Sequence, residues 1–112
     1  MAIYGDNTCK AWINWNGTGT IAIRDSFNVS SITDNGTGDT TISYTTAIDS
    51  VNYVGIGGGK IDDWNGDGNR TVCCFRRNSA AVYANSSRVV TGFGGGATLN
   101  DALVACWAVF GG

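Results

Sequence analysis

The chain contains no proline, histidine, glutamate or glutamine, and only 14% of its 112 residues are charged, against about 25% in an ordinary soluble domain. Each shortage excludes something. Without histidine or glutamate, general acid–base chemistry would fall to Asp, Lys, Tyr or Cys, and a zinc site would need four converging thiolates. Seven basic against nine acidic residues leave a net charge of −2, with no basic stripe to follow a nucleic-acid backbone. No apolar run approaches the roughly 18 residues of a membrane-spanning helix. The opening MAIYGDNTCK lacks both the basic and the apolar region of a secretory signal. The Asn-x-Ser/Thr sequons at Asn16, Asn28, Asn35, Asn69 and Asn85 are therefore expected to be incidental products of turn composition. A surface so poor in charge does little to keep copies of the chain apart. Part of it is expected to be covered by a partner, most simply by the chain itself.

What remains is glycine, 17 residues of it, with Thr, Ser and Asn and a hydrophobic fraction of 43%. That suits a single domain spanning residues 1–112 with one modest core. The tetrapeptide NGTG occurs at Asn16-Gly17-Thr18-Gly19 and again at Asn35-Gly36-Thr37-Gly38, and NGDG follows at Asn65-Gly66-Asp67-Gly68. Asn-Gly provides the two positive-φ residues of a type I′ hairpin turn, so the repeat predicts repeated chain reversal. The flanking runs alternate. KAWINW sets Ala11, Ile13 and Trp15 against Trp12 and Asn14; DTTISYTT places Thr40, Ile42, Tyr44 and Thr46 on one face. SFNVSSIT reads as one strand with Val29 beside Ser31 and opposite Ile32, and VNYVGI as a short strand followed by a long turn, GGGKIDDWNGDGN. At the end, Thr98-x-x-Asp101 could cap a helix, but ALVACWAVF alternates with two apolar faces, as a central or interface strand does. The prediction is all-β: an antiparallel, jelly-roll-like β-sandwich of about eight or nine short strands.

The chemical motifs are weak. VGIGGGK lacks the first glycine and the Ser/Thr of a phosphate loop, and GFGGGA has no βαβ unit to serve. Asp63-Trp64-Asn65-Gly66-Asp67-Gly68 matches the opening of a calcium loop, with Asp63, Asn65 and Asp67 as candidate ligands, but Cys74 stands where the bidentate glutamate belongs. Cys9, Cys73, Cys74 and Cys106 show no metal-site spacing and read as buried, reduced small hydrophobes; a Cys9–Cys106 disulfide is the alternative. No cofactor is expected. Trp64, set among Asp and Asn, suits stacking on a sugar ring, or folding back into a subunit interface; Trp12, Trp15 and Trp107 read as core or interface.

Residues 10–39 resemble the start of a module found in bacteriophage tail-fibre and related virion proteins, including those of cyanophages and other marine phages. The resemblance lies in Lys10-Ala11-Trp12, Asn16-Gly17-Thr18-Gly19-Thr20, Ser26-Phe27-Asn28-Val29-Ser30-Ser31 and Ile32-Thr33-Asp34-Asn35-Gly36-Thr37-Gly38-Asp39; SSRVVTG and ALVACWAVFG look like that module's last two strands. It implies a non-enzymatic β domain on a virion surface, a homotrimer in contact with other virion proteins, that attaches to a host-cell receptor, most simply a surface glycan. Residues 48–85 and GFGGGATLND depart from the module, and the connections at residues 57–69 and 92–100 lie within them. Those connections are the expected contact sites, with Lys60, Asp62, Trp64, Asn65 and Phe93 as candidate receptor contacts. A capsid decoration protein bound to the phage shell is the alternative, and a glycan depolymerase the third reading.

Overall fold

The computed structural model describes residues 8–60, 71–76, 81–93 and 99–111. Among them lie nine strands and no helix: β1 (Cys9–Asn16), β2 (Ala22–Phe27), β3 (Val29–Gly36), β4 (Asp39–Tyr44), β5 (Tyr53–Lys60), β6 (Thr71–Phe75), β7 (Val82–Tyr83), β8 (Ser86–Phe93) and β9 (Val104–Gly111). They form two sheets, β2-β1-β9-β5 and β3-β4-β8-β6, with β7 continuing the β6 side of β8. Every pairing is antiparallel. The sheets face each other as a β-sandwich. No helix here is long and apolar enough to cross a membrane.

The core follows the alternation. Ala11, Ile13 and Trp15 of β1 point inward with Ala105, Trp107 and Val109 of β9, against Ile42 and Tyr44 of β4 and Val89 of β8. ALVACWAVF is thus a strand in the middle of its sheet. Asp101 does not cap a helix: its Oδ1 accepts the Gly38 amide at 2.8 Å.

Two strand boundaries differ from expectation. SFNVSSIT is two strands meeting at Asn28, whose φ of 57° turns the chain from one sheet into the other. Asn tolerates this region because its short polar side chain bonds locally. Its Nδ2 donates to the carbonyls of Lys10 and Thr46, both at 3.0 Å, and its Oδ1 accepts the Thr46 amide at 2.7 Å. A register shift just beyond, between Val29 and Ser31, lets Val29 and Ile32 both pack against the core. The second difference is the glycine run, which is not a turn. Gly57, Gly58, Gly59 and Lys60 continue β5 and pair with Trp107, Cys106, Ala105 and Val104. A Cβ on Gly55 would collide with the Trp107 ring, and one on Gly57 would lie 2.5 Å from the Cys73 carbonyl oxygen and 2.8 Å from its Sγ. Glycine serves here for close approach across the sandwich, with the indole of Trp107 filling the space.

Inside that contact runs a chain of hydroxyls. Trp107 Nε1 can only donate, and does so to the Tyr44 hydroxyl at 3.3 Å. Tyr44 is then left to donate to Ser87 Oγ at 2.6 Å, Ser87 to the Tyr53 hydroxyl at 2.7 Å, and Tyr53 to the carbonyls of Tyr83 and Ser86 at 2.9 and 3.1 Å. The relay crosses between the sheets three times and leaves none of these groups without a partner. Burial pushes the Tyr44 phenol up to about 12, so it stays neutral and able to donate. Tyr53 and Phe75 complete the cluster, Phe75 meeting Trp107 edge-on at 4.8 Å.

The outer face of the second sheet is polar. Asp39 is clasped there by Arg88, through two bonds of 2.9 and 2.8 Å, and by Arg76 at 3.0 Å. Arg88 first, then Arg76, hold its carboxyl below the usual carboxylate range against the opposing effect of burial.

The four cysteines are free. Cys73 is buried as expected, but Cys74 points outward and is exposed, and Cys9 and Cys106 are half-buried. Cys9 lies opposite Phe110, four residues along β9 from Cys106. That is about 13 Å, too far for the alternative disulfide, which needs Cα atoms within about 7 Å.

Two outcomes follow from these buried polar groups. Ser87→Ala is expected to lower unfolding free energy by about 2 kcal/mol, since it strands the Tyr44 proton. Combined with Tyr44→Phe it should cost less than the two single changes together, read by guanidinium titration of tryptophan fluorescence. Asp39→Asn is expected to cost about 2 kcal/mol at neutral pH. Because the Asp39 pKa is depressed in the fold, that stabilisation is present above the unfolded carboxylate value. The gap between wild type and Asp39→Asn should therefore close as pH falls below about 4.

Candidate functional site

Lys60 and Phe93, the expected contact residues among those described, stand at one end of the sandwich. Gly55 lies against Phe75 and Gly57 against Cys73, so β5 runs opposite in direction to β6. Lys60 at the end of β5 is thereby brought to the level of Thr71, which pairs with Phe93 at the end of β8. Lys60 is exposed on the outer side of its sheet, opposite Val104. Asp62, Trp64 and Asn65, and the calcium candidates Asp63 and Asp67 with them, lie outside the described residues, as does NGDG. Among the described residues no three His, Cys, Asp or Glu side chains are placed to hold a metal.

Both NGTG hairpins lie at this same end, and their geometry answers what the repeat is for. Neither Asn16 nor Asn35 takes positive φ; Gly19, Gly36 and Gly38 do. The expected type I′ turn at Asn-Gly is therefore absent. Asn16 Oδ1 instead accepts the Thr18 amide at 3.0 Å and its hydroxyl at 2.6 Å, forming a side-chain-closed turn. Gly36 pairs with Asp39 around Thr37-Gly38. The segment from Leu99 to Leu103 then runs between the two turns and is fastened to both. Gly17 N donates to the Ala102 carbonyl at 2.8 Å, and Gly38 N to Asp101. Thr91 donates its amide to Gly38 at 2.9 Å and its hydroxyl to Asn100 at 2.7 Å, and accepts the Asn100 amide at 3.0 Å. Arg24 adds a bond to the Leu103 carbonyl at 2.6 Å. A Cβ on Gly38 would meet the Thr91 and Asn100 backbones at 2.5 to 2.9 Å, and one on Gly17 the Ala102 oxygen at 3.1 Å. The repeat supplies glycines at which another strand connection docks.

The second feature is the outer face of β2-β1-β9-β5. Register sets Phe27, Trp12, Ala108 and Ile56 in one row across all four strands, and Asp25, Asn14, Cys106 and Gly58 in the next. Val54 and Phe110 form a further apolar pair. Phe27, Trp12, Val54 and Ile56 are 52, 38, 56 and 57% exposed. Between Trp12 and Ile56 lies a groove of about 460 Å³, floored by Cys106, Ala108 and Gly58. It exists because the middle of the row is small and its walls are large. One amide, Asn14, sits in the lining and is held by Arg24 Nη1 at 3.2 Å. The groove offers shape and an apolar surface, with no converging acid and base. Burial pushes the Cys73 thiol beneath up to about 12, so it is not a nucleophile at neutral pH.

Sequence reasoning placed Trp12 in the core or an interface and β9 as a central or interface strand, but did not single out this face. The available signal was Val54 and Ile56, obscured because the glycines after them suggested a turn. The fastening of Leu99–Leu103 was not legible, since it depends on contacts between segments far apart in the chain.

Comparison with protein-family models, with curated proteins and with solved structures gives no match to this chain.

Two of the three positive-φ glycines of this end, Gly19 and Gly38, separate conformation from contact. Gly19 has open space around it, whereas Gly38 does not. Gly19→Ala is expected to cost about 1 kcal/mol, and Gly38→Ala more than about 2, because it adds collision with the docked segment to the same backbone strain. Chemical denaturation of both variants checks the difference.

Proposed function

We propose that this chain is a non-enzymatic structural module of a bacteriophage virion, of the tail-fibre type. On this reading it assembles as a homotrimer and attaches to a host-cell receptor, most simply a surface glycan. The observation that carries the proposal is a division of the surface. One sheet has an apolar outer face, as a permanent protein contact requires; the other bears Ser31, Thr33, Thr41 and Ser43 and the clasped Asp39. The two connections proposed as contact sites leave from the ends of β5 and β8 at a single end of the sandwich, where the fastened hairpins give a rigid base. Rigid sandwich ends carrying variable loops are a common way to build recognition surfaces. The resemblance over residues 10–39 supports the virion assignment; Lys60 stands at the proposed recognition end, and Asp62, Trp64, Asn65 and Phe93 are the further proposed contacts.

The test is adsorption. Host cells pre-coated with purified protein are expected to take up markedly fewer phage particles, with antibody label on intact virions at the tail tip. Unchanged adsorption, together with label spread over the head, would overturn attachment in favour of capsid decoration. Release of reducing sugar from host polysaccharide would overturn the non-enzymatic assignment.

A further inference from the structure

We infer that the outer face of β2-β1-β9-β5 is a self-docking surface, the Phe27–Trp12 ridge of one copy seated in the hollow over Cys106, Ala108 and Gly58 of another. The inference rests on the self-assembly part of the proposal above and is independent of receptor attachment.

The first argument is size. Four strands about 4.8 Å apart and eight residues at about 3.3 Å each give roughly 500 Å² in projection, before the relief of the side chains is added. A stable interface takes about 800 Å² of accessible surface per partner, and contiguous apolar patches beyond a few hundred Å² mark contact sites. The face is therefore of the right order for one protein contact.

The second is shape. Along the row that crosses the sheet, Phe27 and Trp12 stand high on β2 and β1 and Ile56 on β5, while Ala108 and the neighbouring Cys106 and Gly58 leave a hollow between them. A ridge beside a hollow on one face lets the ridge of one copy enter the hollow of another. The surface thus carries both halves of its own joint.

The third is charge. Lys10, Asp25 and Lys60 stand at the margins of the face, at a strand end or on the edge strand β2. Arg24, also on β2, reaches to Asn14 beside the groove but is engaged there and by the Leu103 carbonyl, and the Trp12–Ala108–Ile56 row holds no charge. The chain carries only seven basic and nine acidic residues, so little repulsion opposes bringing two such faces together. An apolar centre with a charged margin is how protein contacts are ordinarily built. The opposite sheet, faced with Ser and Thr, offers no comparable surface.

Gly58 makes the inference testable without disturbing the fold. A Cβ there meets nothing within 4 Å, and its φ is not in the left-handed region. Wild-type protein in sedimentation velocity at micromolar concentration is expected to run as a multiple of its 11.7 kDa chain mass. Gly58→Arg, which places a charge in the groove, is expected to weaken assembly about a hundredfold or more, with an unchanged circular dichroism spectrum. Ala108→Arg should do the same. Thr33→Arg, on the outer face of the other sheet, should assemble as wild type does. A wild-type protein that sediments as a single chain overturns the inference, and so does a folded Gly58→Arg that assembles undiminished. If assembly is lost on mutation while adsorption is unaffected by any form of the protein, self-docking stands and attachment falls.

Discussion

The fold depends on a single close approach: the indole of Trp107 pressed between the sheets against a strand that has no side chains where it passes. Gly55 and Gly57 remove the Cβ atoms that would hold β5 away, and Phe75 closes on the ring from the far sheet. Burying an indole brings its N–H inside as well, and an unpartnered N–H there would forfeit much of what the ring contributes. The relay through Tyr44, Ser87 and Tyr53 removes that cost by passing each proton to the next oxygen until a backbone carbonyl ends the series. Packing and polar satisfaction are one arrangement here. A larger residue in β5 would lift the sheet and break the relay with it.

The same approach explains which parts of the structure could be read from the sequence. Alternation in KAWINW, DTTISYTT and ALVACWAVF is a local property of strands with one or two buried faces, and it located β1, β4 and β9 correctly. Glycine was ambiguous, because the residue has two uses that leave the same letter. In Gly38 it provides positive φ; in Gly55 and Gly57 it provides the absence of a side chain, inside an ordinary strand. Only the partners distinguish the two, Trp107 for Gly55 and Cys73 for Gly57, and both lie far along the chain. Asn28 is the converse case. Its neighbours alternate well enough to suggest one uninterrupted strand, and only the carbonyls of Lys10 and Thr46 that receive its amide reveal a corner.

The candidate site divides along the same line. That a glycine- and asparagine-rich set of connections would form a contact surface could be argued from composition. That several of them share one end could not, because it follows from the direction of β5 relative to β6. The repeated NGTG was legible as chain reversal but not as a pair of docking points, for its second role is played against Ala102, Asp101 and Asn100. The fastening matters to any recognition at that end. Loops with few contacts of their own lose conformational entropy on binding and weaken it accordingly, whereas hairpins tied to a buried Ala102 and to Thr91 present a base that is already ordered.

The two surfaces also explain why a chain so poor in charge is workable. An isolated sandwich with Phe27, Val54 and Ile56 bare on one sheet has both an apolar patch and little electrostatic repulsion between copies, a combination that ordinarily leads to aggregation. If the patch closes on itself in a defined assembly, the shortage of charge stops being a hazard and becomes a condition of the contact, since each added charge near the centre would have to be desolvated. The few charges present are placed consistently with this. Asp39 is neutralised by two arginines on the opposite sheet, Arg24 is engaged by Asn14 and Leu103 beside the groove, and Lys10, Asp25 and Lys60 stand at the margin. Composition, register and the one-sided outer face are all accounted for by the proposed self-docking, which would leave the end that carries the connections to meet whatever else the chain binds.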